Sequence, residues 1–231
     1  MAAVVSGAVG RTIKLCGIRF ERISKGAGQR RYLLIHGDES TARQVLKDHL
    51  SSGSGKGSAL LVENVTRYVT MFGGRLDPNR IFSNEGAEWN LRTLNPQWSE
   101  TQVLSAVTYL GEHRHQVVNK LLPPQGGVLI ALHNNQRGYT MKSEMDISDD
   151  VALNEPDHPE DFGLCVNPGD FERVRRGPYN FVLQARGRGR EDGSLSRLAG
   201  RMGIRYLNLE AGLGNLEKQR LMLQWVEQAL S

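Results

Sequence analysis

The chain of 231 residues is short of several things, and each shortage excludes a class. It has no apolar run near the roughly 20 residues that a membrane-spanning helix needs, so no membrane role is expected. Two cysteines, Cys16 and Cys165, are too few for a disulfide scaffold. Both lie in strand-like runs, where buried free thiols are expected and a single bridge is the alternative. No basic start followed by a long apolar stretch opens the chain, so no secretory signal is visible. The compartment stays open, with the cytoplasm favoured. Residues 1–10 are small and mildly apolar and are expected to stand apart from the ordered core. Charge of one sign is also modest, at a net +4 with 23% charged residues. Arginine clusters at Arg173, Arg175 and Arg176 and again at Arg186, Arg188 and Arg190, but no aromatic residue interleaves the second cluster. Stacking on nucleic-acid bases wants that interleaving, so no nucleic-acid partner is expected. The bland reading of this arginine-rich loop is a solvated surface; the functional one is a loop that meets an acidic small substrate.

What the chain does have is alternation of strands and helices along its length. Tyr32 to Ile35, Ala59 to Glu63, Gly127 to Leu132, Phe162 to Val166, Tyr179 to Gln184 and Tyr206 to Leu209 read as strands, several of them continuous apolar runs. Arg11 to Ile23 reads as an edge strand running into the turn at Gly26-Ala27-Gly28. Thr41 to Leu50 reads as a helix. Ser99 to Gln102 is a capping box, and the apolar stripe from Val103 to Leu121 then predicts one long helix, stopped by Pro123-Pro124. Ser194 is placed to cap a helix that ends at Gly203, and a last helix starts at Asn215. Gln136 to Asp161 reads as a long polar excursion, of a length that is often functional in compact domains. The class expected is α/β: a single domain over 1–231, with a mixed, mostly parallel sheet and helices on both faces. Gly53 to Ser58 lacks the spacing of a phosphate-binding loop and precedes a strand rather than a helix, so it is discounted.

The chemistry-bearing residues fall at the ends of the strand-like runs. His36 and Glu39 follow Tyr32 to Ile35, His133 follows Gly127 to Leu132, and Glu210 follows Tyr206 to Leu209. Open α/β sheets place their sites at the carboxyl ends of strands. Two imidazoles and a carboxylate suit a catalytic zinc that keeps one position open, and a further carboxylate suits the base for its water.

These residues, in this order, resemble the zinc carboxypeptidases and their aspartoacylase and succinylglutamate desuccinylase relatives. The resemblance rests on His36-Gly37-Asp38-Glu39, on Asp77-Pro78-Asn79-Arg80-Ile81-Phe82, on Leu132-His133-Asn134 and on Asn208-Leu209-Glu210. The stretch from Gly193 to Glu210 is similar to the digestive carboxypeptidases. The resemblance implies a zinc carboxypeptidase-like fold and one zinc ion held by His36, Glu39 and His133. It implies Glu210 as general acid and base, and Asn79 with Arg80 holding a substrate carboxylate. It also implies an arginine that steadies the oxyanion, with Arg67 the first candidate and Arg75 the second. The activity implied is hydrolysis of an amide beside a free carboxylate in a small peptide or acyl-amino acid, the substrate being acidic if the arginine-rich loop takes part. Deacylation of N-acyl amino acids and a non-catalytic metal- or peptide-binding module are the alternatives. The chain departs from the family in its compressed stretch from Glu39 to Asn79. It also has no tyrosine in the loop from Gln184 to Arg190, where Tyr139 or Tyr179 would have to substitute.

Overall fold

A computed structural model describes residues 10–51, 55–135 and 138–231. The expectation for residues 1–10, apart from Gly10, and part of the Gly53 to Ser58 segment therefore lie outside the described residues. The chain opens with strands β1 (Arg11–Leu15), β2 (Ile18–Lys25) and β3 (Arg30–Leu34) and helix α1 (Ser40–Ser51). Strand β4 (Gly57–Val62), a small hairpin of β5 (Val69–Met71) and β6 (Gly74–Leu76), and a 3-10 turn (Pro78–Arg80) follow. Helices α2 (Asn84–Leu94), α3 (Glu100–His113) and α4 (His115–Leu121) lead to strand β7 (Val128–Asn135). Next come α5 (Lys142–Met145), β8 (Asp150–Ala152), β9 (Phe162–Cys165), α6 (Pro168–Val174) and β10 (Asn180–Leu183). Helix α7 (Leu195–Met202), β11 (Tyr206–Gly212) and α8 (Leu216–Ala229) complete it.

Nine strands form one mixed sheet in the order β1-β2-β4-β3-β7-β11-β9-β10-β8. Its centre, β4-β3-β7-β11, is parallel, and antiparallel pairings join the outer strands apart from the parallel pair β9-β10. The expected α/β class is the one observed. Alternation along the central strands sends side chains to two separate cores. Leu33, Leu129, Ala131 and Tyr206 face the layer of α2, α3, α4 and α7, while Tyr32, Leu34, Val128, Ile130, Leu207 and Leu209 face that of α1, α6 and α8. These strands are apolar on both faces because both faces are covered. Burying each such Leu or Ile contributes about 1.5–3 kcal/mol.

Several local expectations are corrected. Arg11 to Ile23 is a hairpin rather than one strand, because Cys16 and Gly17 take φ of 49° and 78° and reverse the chain. Cys16 thus sits in a turn; both thiols are free and buried, and burial pushes them up to about 11 and about 12, which favours the thiol over the thiolate. The capping box at Ser99 forms, but the helix after it breaks at Arg114 into α3 and α4. Helices α2 and α6 lie where no helix was expected, the first capped by Ser83 and the second by Asn167 with Pro168 behind it. The excursion from Gln136 holds α5 and β8, and Ser194 makes no side-chain cap. No helix among the described residues is long and apolar enough to cross a membrane.

One polar clamp fixes the end of β7. Asn134 Oδ1 accepts from Ala42 N at 2.9 Å, and Asn134 Nδ2 donates to Gln219 Oε1 at 2.9 Å. Gln219, wholly buried, donates through Nε2 to the His133 carbonyl at 2.8 Å. Gln219→Leu leaves that carbonyl and the Asn134 amide buried without this partner, at about 1–3 kcal/mol for each group. A clear fall in the urea midpoint is the expected outcome, and an unchanged midpoint would refute the clamp.

Candidate functional site

His36 lies two residues past β3, on a turn that Gly37 makes possible. A Cβ at Gly37 would lie 2.2 Å from the Asn64 carbonyl oxygen, and Gly37 N donates to Thr66 O at 3.1 Å. Any larger residue would push the turn off the neighbouring chain. Glu39 immediately precedes α1. His133 is in β7 and Glu210 in β11, and the parallel register pairs the two positions directly. Strand parity puts both on the face covered by α2, α3, α4 and α7, at the carboxyl edge where that layer gives way to a cavity of about 350 Å³. His36, Glu39, Arg67, Asn79, Arg80, His133 and Glu210 all line this cavity. Seven residues scattered over the sequence are therefore brought together.

His36 Nδ1, Glu39 Oε1 and His133 Nδ1 form a triangle with sides of 2.9, 3.2 and 3.2 Å. A tetrahedron with metal–ligand arms of 2.0–2.1 Å has edges of about 3.3 Å. The three residues are 1%, 2% and 4% exposed, and Glu39 Oε2 is buried with no hydrogen-bond partner. Behind the triangle, His36 Nε2 donates to Asp77 Oδ1 at 2.8 Å, the outer contact that usually orients a ligating imidazole. Donor spacing, donor type and the unpartnered carboxylate oxygen fit a divalent ion such as zinc.

The electrostatics agree with a cation-seeking site. Burial works against a charged His36, yet the carboxylates of Glu39 and Asp77 outweigh it and hold the imidazole at about 9. Burial likewise raises Glu39, but His133 and His36 override it and bring the carboxyl to about 2. Asp77 is driven below the usual carboxylate range, burial opposing and the His36 hydrogen bond prevailing. Glu210 moves the other way: burial pushes it up, with His133 pulling it down and Glu39 adding to the rise. Its Oε1 accepts from Asn208 Nδ2 at 2.9 Å.

The cationic wall is built from three places. Arg67 Nη1 and Nη2 lie 3.7 Å from Glu39 Oε1 and 3.7 Å from Asp77 Oδ2. Arg80 Nη1 is 3.2 Å from Asp192 Oδ2, and Asn79 Oδ1 accepts from Leu195 N at 3.1 Å. Arg75 stays outside the cavity, its guanidinium over the Tyr68 ring at 5.7 Å. Of the two tyrosines considered, Tyr139 lines the cavity and donates to Glu144 Oε1 at 2.6 Å; Tyr179 does not line it. Lining residues that the sequence did not single out include Glu144, Gln184, Asn208 and Arg197. Asn208 and Gln184 carried a usable signal, one by parity with Glu210 and the other by following β10; Glu144 and Arg197 carried none. Asp77 stood inside the quoted motif, but its partnership with His36 needed the fold.

No family model and no curated protein matches the sequence. Solved structures do resemble it. The ectoine utilization protein EutE (DoeB) of Ruegeria pomeroyi matches at a TM-score of 0.51 and 15% identity, over 100% of this chain and 69% of that one. A candidate metallopeptidase from Shewanella denitrificans matches at 0.50 and 12%, over 96% of this chain and 82% of its own. At such identities the likeness is one of fold, and the fold is of the kind that the sequence resemblance implied.

The donor triangle sets a test. Purified protein loaded with zinc and dialysed is expected to retain about one ion per chain by elemental analysis. His133→Ala, which removes one of the three donors, should lose most of it. Full retention by that variant would take His133 out of the centre.

Proposed function

We propose that this chain is a zinc-dependent hydrolase that cleaves an amide bond beside a free carboxylate. The observation that carries the reading is the triangle of His36 Nδ1, Glu39 Oε1 and His133 Nδ1, set in one cavity with the Glu210 carboxylate. A zinc ion held by His36, Glu39 and His133 would lower the pKa of a coordinated water to about 7 and polarise the scissile carbonyl.

The protein's own groups do the rest. Glu210 takes a proton from the attacking water and returns it to the leaving nitrogen, a transfer that needs a carboxylate within hydrogen-bond reach. Asn208 occupies Oε1 of Glu210, which leaves Oε2 to carry the proton. Arg67 stands beside Glu39 and Asp77 and would offset negative charge developing on the carbonyl oxygen. Arg80 spends Nη1 on Asp192 and the Asn79 carbonyl, so its remaining N–H groups suit a substrate carboxylate. Asn79 Oδ1 accepts from Leu195 N, which leaves the side-chain Nδ2 as a second donor for that carboxylate.

A second reading within the same chemistry is deacylation of N-acyl amino acids. The cavity of about 350 Å³ favours it, because that volume lies near the lower end for small-molecule sites and suits an acyl-amino acid better than a long peptide.

Glu210→Gln keeps the size of the side chain but cannot accept the proton. The variant should fold and retain zinc while kcat falls about 100-fold or more. A variant as active as wild type would move the proton transfer to another group. Arg80→Lys keeps charge but loses the planar fork. It should raise KM for free-acid substrates about tenfold or more while narrowing their advantage over the corresponding amides. Equal cleavage of acids and amides by the wild type would remove Arg80 from carboxylate recognition.

A further inference from the structure

The polar excursion after β7 ends in a short acidic loop, Glu155-Pro156-Asp157-His158-Pro159-Glu160-Asp161, that no step of the proposed reaction uses. Two prolines limit its backbone freedom, and the wholly buried Asn180 side chain at the start of β10 fixes the rest. Asn180 Nδ2 donates to the carbonyls of Glu155, His158 and Asp161 at 2.8, 3.0 and 3.3 Å. Its Oδ1 accepts from Glu155 N at 2.8 Å. The loop is also joined to two strand ends. Asn135, at the end of β7, donates to the Glu160 carbonyl. Asp161 Oδ1 accepts from Gly212 N, at the end of β11, at 2.8 Å.

This loop sets three ligand-type atoms together. A ring nitrogen of His158 and one carboxylate oxygen each from Glu160 and Asp161 lie within 4.8 Å of one another. His158 Nδ1 and Glu160 Oε1 are 3.4 Å apart, close to the edge of about 3.3 Å for a tetrahedron with arms of 2.0–2.1 Å. A surface histidine beside a carboxylate is ordinarily just an ion pair. The third member sets this group apart. Asp161 is 1% exposed, and its Oδ2 is buried without a hydrogen-bond partner among the described residues. A buried carboxylate oxygen in that state is costly unless a cation meets it. The surrounding charge points the same way, because Glu155 and Glu160 both add negative charge at Asp161. Lys218 opposes them, but its Nζ is drawn to Glu155 Oε1 at 2.6 Å.

We propose that His158, Glu160 and Asp161 form a second, exchangeable site for a divalent transition-metal ion, with zinc as its first occupant. One imidazole with two carboxylates suits zinc better than calcium or magnesium, which take oxygen ligands throughout. The His158 and Glu160 side chains are 53% and 41% exposed, so water completes the coordination. The ion is therefore held more weakly than in the cavity, where all three donor residues are buried, and it leaves on dialysis that keeps the first centre filled. Its role is structural. It ties the loop to the ends of β7 and β11, the strands that carry His133 and Glu210. The inference uses none of the residues of the hydrolase reading, and its test reads metal binding rather than turnover.

Protein holding one zinc per chain is titrated calorimetrically with further zinc at neutral pH. The wild type should take up a second equivalent, and its melting midpoint should rise as that equivalent binds, a rise that His158→Ala lacks. His158→Ala and Asp161→Asn should each weaken the second equivalent at least about tenfold, the cost of losing even an outer partner of a metal ligand, and leave the first unchanged. Asp161→Asn keeps the acceptor for Gly212 N; should it still not fold, His158→Ala, which alters an exposed side chain, decides the matter. His133→Ala, short of a donor in the cavity, should still take up zinc with the affinity of the second equivalent. Excess calcium should not displace it. Uptake that stops at one equivalent in wild type, or a second equivalent as tight in His158→Ala as in wild type, would overturn the assignment. Displacement by calcium would do the same, since it would make the site one of oxygens alone. A cavity that takes no zinc while the His158-dependent equivalent binds would defeat the hydrolase reading and leave this inference standing.

Discussion

A carboxylate that is 2% exposed is costly, and Glu39 is one. Removing such a group from water costs several kcal/mol unless cationic or hydrogen-bonding partners offset it. Two imidazoles do so from one side, through a single oxygen, and the other oxygen is left without a partner. Much of the surrounding structure serves to keep that arrangement rigid. Gly37 lets the His36 turn press against the chain at Asn64, Asp77 holds the far nitrogen of His36, and the Asn134–Gln219 clamp fixes the β7 backbone at His133. A loosely held version would let water in and dissipate the field that makes the site attractive to a cation.

Two walls of the cavity are built by different routes. The first comes from the sheet: parallel pairing of β7 with β11 sets Glu210 beside His133, and alternation sends both toward the same layer. The second comes from loops brought together by a close backbone contact. A Cβ at Gly86 would lie 2.2 Å from Gly193 N, and Phe82 N donates to Gly193 O at 3.0 Å. This contact seats the loop before α7 against the 3-10 turn, where Leu195 N meets the Asn79 side chain. Arg80 and Arg197, more than a hundred residues apart, thereby line one space.

Charge in that space is largely paired off within it. Asp77 and Glu39 draw Arg67 toward the donor triangle, Asp192 draws Arg80 to the opposite loop, and Arg197 lines the cavity without an ion-pair partner among the described residues. The arginine-rich loop, which composition left open between a solvated surface and a loop that meets an anion, spends Arg186 and Arg188 on Asp149 and sets Gly189 against Arg197.

Much was legible in the sequence alone. Continuous apolar runs marked the central strands, because a strand covered on both faces has no polar side to show. The strand ends marked His36, Glu39, His133 and Glu210, because a sheet's carboxyl edge is where its side chains meet open space. The helix end at Gly203 was legible from the glycine, which takes the left-handed cap at φ 63°. Other features left no local trace. The reversal at Cys16 uses a residue that turn chemistry does not favour, and it is set by pairing between β1 and β2 and by the Gln116 side chain accepting from Cys16 N. The two short helices had caps but too few periodic positions to stand out. The partners of Asp77 and the engagement of the loop arginines depend on residues distant in the chain. Sequence determined which side chains stand at the ends of which strands, because propensity and alternation are local. Only the tertiary structure decided which charges are neutralised and which remain available, because a charge is cancelled by whatever lies within a few ångströms of it in space.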